Sequence, residues 1–391
     1  MPSRRRLLKS AVMAACSAAA HPLLSTMTFA AVPGDNRLVV IVLRGAMDGL
    51  DVVQPYGDPL LRQLRRGISG GPDAGALDLD GFHAMHPALA PLAPLWQAGE
   101  LAFAHAVATP YRDKRSHFDG QDLLEAGTGN DLPIDAQKGG WLNRLLQDLP
   151  GATAETAYTV GPEEMLILSG PARALSWAPD ARLKLSAQAQ LLLAEVYHDD
   201  PLFRQAAEDA AEIGSSVAPM AKGEGRAGDA AKLGRFAAER LNGATRIASF
   251  SLAGWDTHAR QPQVLARSLG TLCDAIIALR DGLGPNWAHT TVLAMTEFGR
   301  TARENGSGGT DHGTGGAMLM AGGAVRGGRV YGDWPGLGEG QLYQDRDLMP
   351  TRDVRAYAGW AMRGLFGTDA RMIERTIFPG LDLGTDPGIL A

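Results

Sequence analysis

A run of seven residues near the N-terminus constrains the fold more than any other part of the chain. Residues 37–43, RLVVIVL, are almost all apolar, and most of them are β-branched. Such a run is typical of a strand buried on both faces of a parallel sheet, because a half-exposed strand would alternate apolar and polar side chains. Gly45 and Gly49 follow at turn positions, so the strand is predicted to end near Arg44.

The rest of the chain alternates strand and helix patterns. Further strands are predicted over residues 101–107, 245–252, 290–296 and 317–322, and less regular ones over 156–160 and 165–168. Helices are predicted over residues 86–99, 186–213, 229–241, 263–283 and 352–366. This alternation predicts a single α/β domain over residues 31–391, with a doubly wound, mostly parallel sheet and helices on both faces.

Residues 1–30 have the features of an export signal. Arg4, Arg5, Arg6 and Lys9 precede an apolar, Ala-rich run that is too short to span a membrane. The paired arginines resemble the twin-arginine signal, with a plain secretory signal as the alternative. We expect cleavage after Ala30, or at Cys16 if the protein is a lipoprotein. The expected location is therefore periplasmic or secreted, with the twin-arginine export machinery as a partner and no membrane span in the mature protein.

Charge and cysteine content narrow the choice of function. The formal net charge is −6, and it becomes −10 once the four basic residues of the signal are left out. An acidic body argues against nonspecific nucleic-acid binding, which needs a basic face. Only Cys16 and Cys273 occur, so cleavage after Ala30 would leave one cysteine and no intrachain disulfide.

Acidic and histidine side chains follow several of the predicted strands. In open parallel sheets, ligands bind beyond the carboxyl ends of the strands, so these residues are expected to converge on one edge. Carboxylates and imidazoles without a usable thiol favour one or two divalent ions such as zinc, manganese, magnesium or calcium. The candidate ligands are Asp48, Asp256, His258, Glu297, Asp311 and His312. Each also has a structural interpretation; Glu297, for example, could pair with Arg300.

Ser116 is the candidate nucleophile. It stands before a predicted helix, where the positive end of the helix favours an alkoxide or a nearby anion. Metal coordination would lower the pKa of its hydroxyl further. Arg112 and Arg115 could hold an oxyanion, and His117 is a candidate substrate contact. The alternative is a helix-capping serine beside solvated arginines. A serine-histidine-aspartate hydrolase is disfavoured because the chain has no G-x-S-x-G motif.

Several motifs together resemble one family of exported bacterial proteins. LVVIVLRGAMDGLDVVQPY, RSHFDGQDLLEAG, GWDTH and TEFGRTARENGSGGTDHG, with the twin-arginine start, resemble the family called domain of unknown function 1501. That family is similar to the alkaline phosphatase and sulfatase superfamily, which implies an alkaline-phosphatase-like fold. The resemblance implies a metal-dependent hydrolase of small phosphate or sulfate esters, or a noncatalytic, metal-containing binding or assembly protein of the same fold.

The superfamily resemblance also implies roles for single residues. Asp48 resembles the first metal aspartate, and the segment RSHFDGQDLLEAG resembles the nucleophile region of cofactor-independent phosphoglycerate mutases, with Ser116 as nucleophile. Asp256 and His258 resemble the pair on one metal, and His312 falls where the last ligand histidine lies. Phe298 stands where the superfamily has a histidine. An alternative alignment makes residues 311–312 the aspartate-histidine pair, and under either alignment the two-metal site is one ligand short.

Overall fold

The computed structural model describes residues 27–31, 34–129, 139–150, 152, 165–172, 174–177 and 226–391. Side chains are described for these residues except 27–31, 175–177 and 226–229. The paired arginines and Cys16, the strand predicted at 156–160 and the helix predicted at 186–213 lie outside the described residues.

Fourteen strands occur in the described part of the chain. In chain order they are β1 (Met27–Ala31), β2 (Arg37–Arg44), β3 (Val53–Gln54), β4 (Leu77–Asp78), β5 (Ala84–Met85), β6 (Leu101–Ala108), β7 (Leu175–Trp177), β8 (Thr245–Ala253), β9 (Thr290–Thr296), β10 (Gly316–Ala321), β11 (Arg329–Tyr331), β12 (Leu342–Tyr343), β13 (Asp347–Leu348) and β14 (Arg352–Asp353).

The helices of the described residues vary widely in length. In chain order they are α1 (Gly49–Val52), α2 (Leu61–Leu64), α3 (Ala93–Gln97), α4 (His117–Ala126), α5 (Trp141–Asp148), α6 (Arg226–Leu241), α7 (Gln261–Leu283), α8 (Val354–Phe366) and α9 (Ala370–Met372). Short 3-10 turns occur at Pro72–Ala74, Pro87–Leu92, Leu166–Leu168 and Gly284–His289, and a π-helical turn at Ile373–Ile377. None of the helices in this part of the chain has both the length and the apolar character of a membrane span.

A nine-stranded sheet forms the centre of the fold. Its order is β11–β6–β10–β9–β2–β8–β1–β7, with β14 paired to β6. Strand β2 runs parallel to both neighbours, so that Leu43 lies opposite Thr296 of β9 and Leu252 of β8. Strand β10 is antiparallel to β9 and β6, and β1 is antiparallel to β8 and β7. The predicted mixed α/β fold with a mostly parallel sheet is confirmed.

Both faces of the central strand are buried, as its apolar run predicts. Val39, Ile41 and Leu43 pack into one core with α6 and α7, whereas Val40 and Val42 pack into a second core with α5 and α8. Helices therefore cover both sides of the sheet. The two cores account for the absence of a polar face on β2, because every one of its side chains from residue 38 to 43 is removed from water.

Two predicted elements differ from the structure. Residues 165–168 were predicted as a strand, but Leu166–Leu168 form a 3-10 turn. The helix predicted over 86–99 is mostly a 3-10 segment, Pro87–Leu92, followed by the five-residue α3. Pro91 lies inside this segment, and a proline has no N–H to donate to the α-helical hydrogen-bond ladder.

The chain connections bring five segments to one edge of the sheet. Strands β2, β8 and β9 are parallel and end side by side, and β6 runs antiparallel to β10, so that β10 begins where the others end. Gly45, just after β2, has a φ of +124°, and a Cβ there would lie 2.6 Å from the backbone N of Asp256. Only glycine permits the two turns to approach this closely.

Candidate metal centre

Four side chains converge at this edge: His117, Asp256, His258 and His312. The Nε2 atoms of His258 and His312 are 2.9 Å apart. Oδ1 of Asp256 lies 3.1 Å from Nε2 of His258 and 3.3 Å from Nε2 of His312. Oδ2 of Asp256 lies 3.5 Å from Nε2 of His117. Ligand atoms of His117, Asp256 and His312 all lie within 4.8 Å of one another.

The four residues come from three separate segments of the chain. His117 is the first residue of α4, whose N-cap is Ser116. Asp256 and His258 lie in the loop after β8, and His312 lies in the loop that leads into β10. The sheet edge, rather than closeness in sequence, brings these groups together.

In each of the three cluster histidines, Nδ1 forms a hydrogen bond with an oxygen atom. Nδ1 of His117 donates to Oε1 of Glu297 at 2.8 Å, and Nδ1 of His258 donates to Oδ1 of Asp311 at 3.2 Å. Nδ1 of His312 donates to the carbonyl oxygen of Arg115 at 3.0 Å. These bonds fix ring orientation and turn each Nε2 toward the cluster, where a bound ion would take the place of an Nε2 proton, as it does in metal-bound histidines.

The spacing of the ligand atoms suits a cation. Two neutral Nε2 atoms 2.9 Å apart turn lone pairs toward each other, so either an ion binds between them or one ring carries a second proton. Ligands about 2.0 to 2.1 Å from a tetrahedral zinc ion lie about 3.3 Å from one another. Four separations between neighbouring ligand atoms, 2.9 to 3.5 Å, lie near that value, and the group of His117, Asp256 and His312 as a whole fits within 4.8 Å.

Charges at the site stabilise one another. Hydrogen bonds with Asp256 and then with Glu297 raise the pKa of His117 to about 9. Burial by itself would raise the pKa of Asp256, but hydrogen bonds from His117, from His312 and from a buried guanidinium outweigh it and hold the pKa below its usual range. Burial of Glu297 is likewise outweighed by hydrogen bonds from His117 and Gln121, so its pKa is lowered. Both carboxylates are therefore ionised at neutral pH.

That guanidinium belongs to Arg300, which is fully buried. Its Nη2 donates to Oδ1 of Asp256 at 2.6 Å, and its Nε donates to the carbonyl oxygen of Ala46 at 2.7 Å. Nη1 donates to the carbonyl oxygen of Thr310. The guanidinium fixes the Asp256 carboxylate against the turn that follows β2. Arg300 therefore forms its ion pair with Asp256 and not with Glu297, the partner that the sequence suggested.

An aromatic side chain lies beneath the histidines. The Phe298 ring stacks on His117 at 5.2 Å between centroids and on Tyr111 at 5.7 Å, and it contacts His312 at 5.1 Å. Phe298 is buried. It supports the rings of two cluster histidines from below.

The cluster is open to solvent on its other side. The Asp256 and His258 side chains are 46% and 45% exposed. Structural metal sites are closed by protein ligands, whereas catalytic sites keep a position open for water or substrate. The exposure of this cluster is typical of the second kind.

Two of the other three predicted ligands, Asp48 and Glu297, are surrounded by protein donors. Oδ2 of Asp48 accepts from Arg65, Gln261 and Thr310 at 2.9, 2.7 and 3.1 Å, while its Oδ1 is buried without a partner among the described residues. Oε1 of Glu297 accepts from the backbone N of Gly45 and from His117 and Gln121, and its Oε2 accepts from Thr296. A metal role for Asp48 or Glu297 stays a prediction.

The predicted nucleophile directly precedes His117, and the two predicted arginines lie in the loop before it. Ser116 caps α4, its Oγ accepting from the backbone N of Asp119 at 3.4 Å, and its own backbone N donates to the Tyr111 hydroxyl at 2.7 Å. The guanidinium of Arg112 is held by backbone carbonyls, those of Thr109 and Tyr111. The guanidinium of Arg115 lies 4.0 Å from Asp347.

Sequence reasoning missed two members of this site. His117 was assigned to substrate rather than to the metal group, although its place directly after Ser116 at the helix start was visible. Arg300 follows Glu297 by three residues, and no local signal indicates that it reaches Asp256 across the sheet edge. Asp311, predicted as a ligand, contacts the outer nitrogen of His258 and so occupies an orienting position.

Comparison with known proteins identifies a family. A family model described as "Protein of unknown function (DUF1501)" matches residues 102–373, well over half of the chain. The match includes every cluster residue, whereas β2 and Asp48 lie outside it. No curated protein and no solved structure matches the chain.

Proposed function

The chain belongs to the DUF1501 family of proteins of unknown function, so its activity has to be argued from the site, and we propose that it is a metal-dependent hydrolase of phosphate or sulfate esters. The observation that carries the proposal is the solvent-open group of His117, Asp256 and His312, whose ligand atoms all lie within 4.8 Å of one another, with Nε2 of His258 beside Asp256 and His312. An open, imidazole-rich ion site is typical of hydrolytic enzymes.

The donor set favours zinc among the candidate ions. Magnesium and calcium prefer oxygen ligands, whereas imidazoles suit zinc and other transition ions. His117, Asp256, His258 and His312 would hold the ion, with Glu297 and Asp311 orienting two of the rings. When bound, the ion would act as a Lewis acid toward the anionic ester.

Ser116 is the proposed nucleophile. It lies beside a proposed ligand, His117, at the N-terminus of the ten-residue α4. Its Oγ would form a bond to phosphorus or sulfur while the bond to the ester's bridging oxygen breaks, and the departing alkoxide would take up the serine proton. Water would then release the anion and restore the hydroxyl. Arg115 is the proposed anion contact, because Arg112 is already held by backbone carbonyls.

We further propose an alkaline-phosphatase-like arrangement of the domain and export by the twin-arginine pathway to the periplasm or beyond. The support is the motif resemblance and the paired arginines, Arg4 and Arg5. The expected cleavage position after Ala30 falls within β1, so cleavage there would remove most of that strand from the sheet.

A noncatalytic binding or assembly protein that holds a metal is the second candidate. It is favoured by the donors around Asp48 and Glu297, which occupy ligand atoms that a second ion would need. A protein with one ion and no second site could bind an anion without cleaving it.

One experiment separates the two candidates. Purified protein is analysed for bound metal and assayed against a panel of phosphate and sulfate esters, alongside Ser116→Ala and the exposed-hydroxyl control Thr385→Ala. For an enzyme, Ser116→Ala should retain metal and lose turnover by about a thousandfold or more, since the covalent route is closed. Equal rates would remove Ser116 from the mechanism. Metal without hydrolysis of any ester would favour the binding protein, and absence of metal would contradict both.

A further inference from the structure

A cavity of about 240 Å³ lies next to the proposed metal centre. Asp311, which orients His258, forms part of its wall. Arg346, also in the wall, donates through Nη1 to the carbonyl oxygen of His312 at 3.0 Å. Two wall residues therefore contact two of the cluster histidines, one through the side chain of His258 and one through the backbone of His312.

Most charged groups of the wall already have protein partners. Glu304 accepts from the backbone N of Gly67, Asp311 accepts from His258 and Asn305, and Arg346 is paired with Asp347. These contacts neutralise the three groups or hold them in place. The three side chains therefore shape the cavity wall, and their charges are not free to pair with a ligand.

Two exposed wall residues of opposite charge remain, Arg303 and Asp345. Neither Arg303 nor Asp345 makes a side-chain hydrogen bond or ion pair with any residue that the structure describes, and the two do not pair with each other within 4.0 Å. A cavity that offers one unpaired cation and one unpaired anion is complementary to a ligand that carries both charges, because each ligand charge then finds its counterpart.

The cavity volume limits the size of that ligand. Since a water molecule occupies about 30 Å³ in the liquid, 240 Å³ has room for several water molecules or for one small organic molecule. A small hydroxy amino acid fits within this volume, and its ammonium and carboxylate are the two charges required.

We infer that this cavity binds the zwitterionic end of an amino acid, with Arg303 on the carboxylate and Asp345 on the ammonium, so that the substrate is a phosphate or sulfate ester of a small hydroxy amino acid. The inference rests on the proposed function, because it places the ester group at the metal cluster and its leaving group in the cavity. Hydrolysis would consume one water and release the free amino acid and the anion.

The test compares substrates that keep or lack each charge. O-Phospho-L-serine, phosphoethanolamine (which lacks the carboxylate) and phenyl phosphate are assayed with the metal-loaded protein and with Arg303→Gln, Asp345→Asn and the exposed control Arg267→Gln. The preference for O-phosphoserine over phenyl phosphate in kcat/KM should fall about tenfold in each cavity variant, because each loses a charge-assisted hydrogen bond. The preference for phosphoethanolamine over phenyl phosphate should fall only in Asp345→Asn, because this substrate lacks the carboxylate that Arg303 would bind. Arg267→Gln should retain it.

A binding measurement keeps the inference testable without turnover. Titration calorimetry with L-serine should detect binding to the unmutated, metal-loaded protein and at least a tenfold loss in each cavity variant, with circular dichroism confirming their folds. Hydrolysis of phenyl phosphate without a preference for O-phosphoserine would overturn the cavity assignment and leave the proposed function standing. If no ester is hydrolysed, the proposed function fails, and absence of L-serine binding would overturn the cavity assignment independently.

Discussion

Nδ1 of His117 lies 2.8 Å from Oε1 of Glu297, a carboxylate buried at the end of the strand β9. The two residues are 180 positions apart in sequence, and their contact joins the start of α4 to the centre of the sheet. The bond turns Nε2 of His117 toward Asp256, so the buried acid sets the geometry of the proposed ion site without contacting its centre.

Glu297→Gln should weaken zinc binding by about ten- to hundredfold, because loss of a carboxylate partner leaves a ligand histidine less basic and less firmly oriented. A zinc titration against a competing chelator measures the change. Glu125→Gln is the matched control, since Glu125 is also a buried carboxylate but pairs with Arg44. Equal zinc affinity in the two variants would contradict the orienting role of Glu297.

His117→Ala should lower bound zinc as strongly as His258→Ala or His312→Ala, because each change removes one of four ligands. The exposed His289→Ala serves as the control for general effects of losing an imidazole. Elemental analysis after dialysis against a fixed free-metal concentration gives the comparison. If His117→Ala retained full zinc occupancy, His117 would not be a ligand, and its predicted role as a substrate contact would stand.

The free energy of unfolding should decrease below neutral pH because of His105, a buried histidine outside the cluster. His105 is neutral, because its Nε2 donates to the Val53 carbonyl oxygen and its Nδ1 accepts from the backbone N of Ala106. Burial lowers the pKa of His105 to about 3. The unfolded chain binds this proton near pH 6.5 and the folded chain does not, so stability is lost as pH falls from about 6.5 toward 3.

The loss from His105 between pH 7 and pH 5 should be on the order of 2 kcal/mol. Urea denaturation of the unmutated protein and of His105→Gln at both pH values measures it. The variant should show a shallower fall in unfolding free energy over this range. Parallel pH dependence in the two proteins would mean that His105 is not the group responsible.

Two glycine substitutions should change stability in opposite directions. A Cβ on Gly299 would lie 1.8 Å from the carbonyl oxygen of Gly315, so Gly299→Ala should destabilise the fold by about 2 to 3 kcal/mol. Gly270 lies in α7 with nothing within 4 Å of a Cβ, so Gly270→Ala should stabilise by about 0.5 to 1 kcal/mol. Thermal denaturation would show the opposite shifts, and a lowered midpoint for Gly270→Ala would contradict the open environment.

Replacing Arg4 and Arg5 together by Lys should strand the precursor in the cytoplasm, since the paired guanidinium groups are the feature of the proposed export signal. Arg6→Lys changes a neighbouring arginine outside the pair and should be exported normally. Cell fractionation with immunodetection distinguishes the outcomes. Normal export of the double variant would favour a plain secretory signal.

The long central strands and the Ser116 helix cap follow from local sequence. An apolar β-branched run such as residues 37–43 predicts a buried strand, because it leaves no face that water could solvate. Ser116 before His117 predicts a helix start, because its hydroxyl satisfies a free backbone N–H. The convergence of Asp256, Glu297 and His312 was also predictable, since parallel strands end at a common edge.

Which side chains pair at that edge was decided by the tertiary structure alone. Arg300 binds Asp256 rather than Glu297, and His117 takes its place in the cluster because the connection from β6 sets the start of α4 over the end of β9. Periodicity and capping act over a few residues, whereas these contacts depend on strand order and on the antiparallel entry of β10. Such long-range pairings have no local signature, and they appear only when the sheet has assembled.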